Sequence, residues 1–192
     1  MSDPDPGTLR GALLLARSDY EAVMAKVAGE RPAGRLRRWS HAILPSTTGA
    51  AAYRVAHWLH RRGAFRLSAL VSLGGRVWTG LAIHPGSRIG PRLFVAHPSG
   101  AYLCGTAGAG LEIYPQAWIG PERPIGWRDS PGPDCPVLGA GVQVGTKAVV
   151  QGAVAIGDGA RVGSYTVLPD DLKAGAFAIA PRRSGVTPPA SR

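Results

Sequence analysis

Two runs of small or branched apolar residues recur at every sixth position, and they are out of frame with each other. The first is Ile83, Ile89, Val95, Ala101, Ala107, Ile113 and Ile119; the second is Leu138, Val144, Val150, Ile156, Val162 and Leu168. A companion set lies four places further on, from Ser87, Leu93 and Ser99 to Ala160, Thr166 and Leu172. Neither the 3.6-residue period of a helix nor the alternation of a strand produces this spacing. A six-residue period predicts a hexapeptide β-solenoid, in which each hexapeptide is one side of a three-sided coil. The recurring aliphatics fill the inside, and stacked coils bury one another's faces. Each run holds about two coils.

The frame breaks between Ile119 and Leu138, nineteen residues apart and one more than a full coil. The intervening 121–136 is rich in proline and glycine and carries no hexapeptide pattern. A long loop expelled from a regular solenoid predicts a functional segment held by a rigid scaffold. Before the solenoid, residues 8–28, about 48–62 and about 65–79 read as helices. Leu9, Leu13, Leu14, Val23, Met24 and Val27 form the expected stripe of the first, and Ala52, Val55, Ala56 and Leu59 that of the second. The expected organisation is a helical region over 1–80, a solenoid over 81–184 and a disordered tail over 185–192.

The 27 glycines fit the tight corners of a solenoid. The formal net charge of +10, nearly all arginine, suits an anionic partner such as a phosphorylated cofactor. No basic run is interleaved with stacking aromatics, so nucleic acid is not expected. Two cysteines make no disulfide framework. The acidic, proline-rich start is not a signal peptide, and no apolar stretch spans a bilayer. A cytoplasmic protein with no membrane partner is expected.

Three segments carry a resemblance. Tyr53-Arg54-Val55-Ala56-His57-Trp58-Leu59, Ile83-His84-Pro85-Gly86-Ser87-Arg88-Ile89-Gly90 and Leu93-Phe94-Val95-Ala96-His97-Pro98-Ser99-Gly100 resemble the serine acetyltransferase family, as does Ala180-Pro181-Arg182-Arg183. The likeness covers roughly residues 48–184. It implies a left-handed parallel β-helix, acetyl-CoA as donor, a histidine base, and trimers that pair into hexamers. CoA would lie in a groove between neighbouring solenoids.

The departures from the family pattern bear on the acceptor. Where the family has Asp-His the chain has Ala96-His97, and where it has Arg-His-Pro the chain has Asp134-Cys135-Pro136. The family's Gly-Glu-Thr falls at Cys104-Gly105-Thr106, and its Asp-Pro-Ala at Arg31-Pro32-Ala33. The groups that would hold the ammonium and carboxylate of serine are replaced. The expected acceptor is therefore a hydroxyl or amine of a small molecule other than free serine. The alternative is an inactive homologue serving as a trimeric scaffold or regulatory partner.

Each candidate residue has a chemical reason. His97 is the expected general base, because imidazole takes a proton near neutral pH. Cys135, in the place of a family histidine, is either a nucleophile or a pocket wall, and Asp134 beside it disfavours the thiolate. Cys104 reads as buried packing. Ala96, Trp127, Arg128 and Asp134 are expected around the acceptor, under loop 121–136. On the donor side, Gly145, Thr146, Gly163 and Ser164 would present backbone to an extended pantetheine. Arg161, Arg182 and Arg183 would pair with CoA phosphates, since guanidinium suits bidentate phosphate contacts. An acyl-carrier protein fits the basic charge equally well as donor. His57 and His60 have metal-ligand spacing but no third ligand in view, so no metal is expected.

Overall fold

The computed structural model describes residues 5–28 and 42–180. Three helices come first: α1 (Leu9–Ala28), α2 (Pro45–Arg61) and α3 (Phe65–Thr79). Fourteen short strands follow, from β1 (Ala82–Ile83) to β14 (Phe177–Ala178). They build three parallel sheets: sheet I in the order β1-β4-β7-β10-β13, sheet II in the order β11-β8-β5-β2 and sheet III in the order β14-β12-β9-β6-β3. From β1 to β13, successive strands visit sheets I, II and III in turn, so the chain winds as a three-sided coil. One residue per strand points inward. Ile83, Ile89, Ile113, Ile119, Val144, Val150, Ile156 and Val162 are all buried, as the six-residue period requires.

The first run departs from its apparent frame. Leu103, not Ala101, stands in register between Ile83 and Ile119 in sheet I. The turn from β3 (Phe94–Val95) to β4 (Tyr102–Leu103) spans 96–101, two residues more than the later turn 114–117. The next turn, Cys104-Gly105, is two residues shorter than 84–87. The two changes cancel, so Ala107 returns to the frame. Only the strand centres must be interior, and turn length is free to vary between them.

Loop 121–136 contains no coil. It joins β7 (Trp118–Gly120) of sheet I to β8 (Val137–Leu138) of sheet II, taking the place of one ordinary turn.

The helices start and end near their expected limits, but their buried faces differ from the apolar stripes read from the sequence. In α1, Ala12, Leu15, Asp19, Ala22 and Val23 are buried, whereas Leu9, Leu13, Leu14 and Val27 are exposed. In α2 the buried face carries Tyr53, Arg54, His57 and His60. The reason is what it meets. The Tyr53 hydroxyl donates to Ser87 O (2.8 Å), Arg54 donates to Ile89 O (2.6 Å) and Gly90 O (2.7 Å), and His57 Nδ1 lies 2.8 Å from Pro85 O. The face is polar because it caps the free carbonyls of the first coil.

Burial pushes the His57 imidazole down to about 4. The unfolded chain takes up a proton at this residue below pH 6.5 and the folded chain does not until about 4. Stability is therefore lost as pH falls through that window, by up to about 3 kcal/mol. Burial shifts His60 and His84 in the same direction. Urea midpoints measured between about pH 7 and about pH 5 should fall with pH, and His57→Gln, which keeps a donor for Pro85, should flatten the fall. An unchanged slope in that variant would assign the pH dependence elsewhere.

Candidate functional site

The edge where sheet III passes to sheet I differs from the other two. Its turns place Gln116, Lys147 and Tyr165 at positive φ (59°, 56° and 61°); Gly100 (φ 71°) holds the equivalent place in turn 96–101, whose two added residues include His97, also at positive φ (44°). The edge between sheets II and III uses glycine for the same conformation, at Gly110, Gly141 and Gly159, with Arg92 the exception. A non-glycine residue in the left-handed region is uncommon. Here three side chains form a column along one edge, on turns tied to each other and to turn 96–101 by Gln116 N→Ser99 O, Lys147 N→Pro115 O and Tyr165 N→Thr146 O bonds of 3.2, 3.0 and 2.8 Å.

His97 lies on the enlarged turn 96–101 of the same edge, three residues before the Gly100 that is in register with Gln116. It is exposed, and among the described residues its ring makes no hydrogen bond. Half-buried Ala96 beside it supplies no acid to orient the imidazole. The ring is thus open to a ligand and unconstrained by its own chain.

Gly145, Thr146, Gly163 and Ser164 lie on the same edge, two coils and three coils from His97. The amides of Gly145 and Gly163 already donate within the coils, to Val162 O (2.8 Å) and Ala178 O (2.7 Å). A Cβ at Gly145 would stand 2.6 Å from Ser164 N, so stacking of the next coil accounts for that glycine. What the glycines offer a ligand is close approach rather than free donors. Arg161 is exposed on the outer face of sheet III; Arg182, Arg183 and Arg31 lie outside the described residues. Sequence reasoning missed Gln116, Lys147 and Tyr165. Lys147 Nζ sits 5.4 Å from the Tyr165 ring centroid, putting a cation on the His97 edge. The available signal was their place after Tyr-Pro, Gly-Thr and Gly-Ser at equivalent turn positions.

The remaining candidates gather at another edge, where sheet I passes to sheet II. Trp127 stands edge-on to Phe65, centroids 6.4 Å apart, and the Arg128 guanidinium lies 4.7 Å from the Trp127 ring. His84 Nε2 is 3.2 Å from Gly126 O. The loop therefore folds back over α3 and the first coil. Asp134 is exposed and lines a cavity of about 440 Å³ with residues 121–125, Gly152 and Ala153. Cys135 is buried against Cys104. Within one chain, His97 and the loop residues stand at different corners of the coil.

A three-sided coil of short parallel strands with one interior aliphatic every six residues is consistent with the hexapeptide-repeat acyltransferases. Comparison with known proteins narrows the class. The chain is 33% identical to the serine acetyltransferase of Helicobacter pylori over 172 residues, 88% of this chain and 97% of that protein. It is 34% identical to the serine acetyltransferase of Mycobacterium tuberculosis over 65% of this chain and 53% of the relative. The chain belongs to the serine acetyltransferase family. No family model matches it. Its fold is similar to serine acetyltransferase isoform 3 of Entamoeba histolytica (TM-score 0.75, 21% identity, 92% of this chain) and to the Neisseria gonorrhoeae enzyme (TM-score 0.75, 22% identity, 90% of this chain). It spans only 61% and 64% of those two chains.

These relatives correct the acceptor expected from the sequence. A small molecule other than free serine, and the inactive-scaffold alternative, both rested on Ala96, Arg31 and Asp134 as losses from one pocket. The relatives are named serine acetyltransferases, which points to serine as the acceptor in spite of those substitutions. Within one chain Ala96 and Asp134 stand at different edges, and Arg31 lies outside the described residues.

Proposed function

We propose that this protein is a serine O-acetyltransferase that moves the acetyl group of acetyl-CoA to the hydroxyl of free L-serine. The observation that carries the reading is the 33% identity to a serine acetyltransferase along 97% of that relative's length. In the reaction, the serine oxygen attacks the thioester carbonyl while His97 takes its proton. The carbon–sulfur bond then breaks, and the leaving sulfur of CoA is protonated. Gly145, Thr146, Gly163 and Ser164 would let pantetheine approach along the edge. Arg161, Lys147, Arg182 and Arg183 would meet the phosphates of CoA.

The solenoid over 81–184 would be left-handed, preceded by the helical region 1–80, and the protein cytoplasmic. No helix among the described residues is long and apolar enough to cross a membrane. The assembly would be a trimer. Sheet I carries an outward ladder of Tyr102 and Trp118, stacked at 4.2 Å, continued by Val149 and exposed Val167. Leu67, Leu70, Leu73 and Val77 extend the apolar surface along one side of α3, all more than half exposed. A three-fold assembly on sheet I sets the His97 edge of one copy against the loop edge of the next. That arrangement would bring Cys135, Asp134, Trp127 and Arg128 to a base they do not meet within one chain.

Two measurements test the reading. Light scattering should give three times the 20.0 kDa chain mass; a monomer at micromolar concentration removes the shared site. Serine should accelerate release of free thiol from acetyl-CoA. Thioester loss at the same rate with and without serine would overturn the proposal.

A further inference from the structure

The molecule's two cysteines face each other across adjacent coils. In sheet II, Thr106 is in register with Val137. One residue back, Gly105 packs on Pro136, whose carbonyl lies 2.5 Å from where a Gly105 Cβ would be and accepts the Thr106 amide at 3.0 Å. One residue further back are Cys104 and Cys135. Both are buried, at 0% and 3% exposure, and both are free thiols. Parallel neighbours lie about 4.8 Å apart, inside the Cα separation of about 4.4–6.8 Å that a disulfide needs. The register thus makes the two buried thiols neighbours on adjacent coils, and the pair interacts electrostatically.

We propose that Cys104 and Cys135 are a built disulfide site, closed by exchange with a low-molecular-weight disulfide, that fastens the C-terminal root of loop 121–136 to the coil beside it. The chemistry balances. One protein thiolate attacks the small disulfide and displaces one small thiol, giving a mixed disulfide. The second protein thiolate attacks the protein sulfur of that adduct, closes the bond and releases the second small thiol. The protein pair is oxidised by two electrons and the small disulfide is reduced by two.

The setting separates rate from equilibrium. Burial, reinforced by Cys135, pushes the Cys104 thiol up to about 12. Thiolate is therefore scarce while the loop is seated, and exchange waits for the loop root to open. Because the fold already holds the two residues on adjacent coils, the bond should form more favourably in the folded state than in the unfolded chain. Reduced protein has a loop hinged at Asp134-Cys135-Pro136, and oxidised protein has that hinge fixed to Cys104.

The test compares the full-length folded protein with the same chain unfolded in urea. Each is equilibrated with mixtures of oxidised and reduced glutathione, starting from both the reduced and the oxidised protein. Intact mass after acid quenching reports the fraction that has lost two hydrogen atoms. A facing pair should give an effective concentration at least about tenfold higher folded than unfolded. An equal or lower value in the folded protein overturns the proposal, whatever the rate. Cys104→Ser should instead accumulate the glutathione adduct on Cys135, because the resolving thiol is gone. If the wild type accumulates that adduct to the same extent, the two sulfurs do not face each other and the proposal fails. Trypsin cleavage at Arg128 should slow in the oxidised protein; unchanged cleavage would refute the fastening of the loop root.

Discussion

His97→Ala should lower kcat for acetyl transfer to serine by about 10²–10⁴-fold, the usual contribution of a general base. The serine hydroxyl is a poor nucleophile until its proton has somewhere to go. Among the described residues, His97 is the exposed imidazole on the edge where the turns are open to an extended donor. His57 and His60 are buried in α2, and His84 is committed to the loop through Gly126. Acetyl-CoA binding should change little, since the proposed pantetheine groove lies on the other turns of the edge. Calorimetric titration with CoA separates this from a structural effect. Cys135→Ser gives the contrast. A buried thiol that only walls the site should cost about tenfold or less, whereas a nucleophile would be lost almost completely. The expected order of activity is wild type, then Cys135→Ser, then His97→Ala. Equal turnover by wild type and His97→Ala would end the base assignment, and the reverse order of the two variants would transfer the chemistry to the thiol.

How far the sequence reaches is visible in particular residues. Ile113, Ile119, Val144 and Val150 could be placed inside because a solenoid needs one interior residue per strand, and a fixed period shows which. Leu103 could not, because a turn two residues longer and a turn two residues shorter preserve the sum. His97 was proposed as the base through its motif. The column of Gln116, Lys147 and Tyr165 on the same edge was not legible, because these are ordinary residues whose distinction is a backbone conformation. Arg54 and His57 were read as parts of a recognisable motif with no task. Their task is to bond the carbonyls of a coil 28 to 36 residues away, and no local pattern records that. The loop was correctly seen as an insertion. Its corner was not legible, because the nineteen residues from Ile119 to Leu138 resemble a full coil in length while occupying a single turn.

Arg54→Ala should destabilise the protein by about 3–5 kcal/mol, the loss seen when one partner of a buried ion pair is removed. Arg54 and Asp19 have side chains only 1% exposed. Two guanidinium nitrogens meet the two Asp19 oxygens at 2.8 and 3.0 Å, and the Ile89 and Gly90 carbonyls take further donors. Asp19 in turn accepts the Leu93 amide at 2.8 Å. Alanine would leave a carboxylate and two carbonyls buried without these donors, and each unmade bond carries its own desolvation penalty. Arg54→Lys should recover only part of the loss, because an ammonium cannot reproduce the fork. The double variant Asp19→Leu, Arg54→Met should be more stable than Arg54→Ala, because no charge is then left unpaired. Urea unfolding of the four proteins decides the matter; Arg54→Ala within about 1 kcal/mol of wild type would show that the pair is dispensable. The network also reaches the proposed base. Leu93 leads directly into β3, and β3 leads into Ala96 and His97. Holding α1, α2 and the start of β3 in one buried cluster fixes the strand from which the enlarged turn rises. Arg54→Lys should therefore lower kcat more than it raises KM for acetyl-CoA, since it loosens the support of the proposed base and leaves the proposed donor groove on the later coils intact.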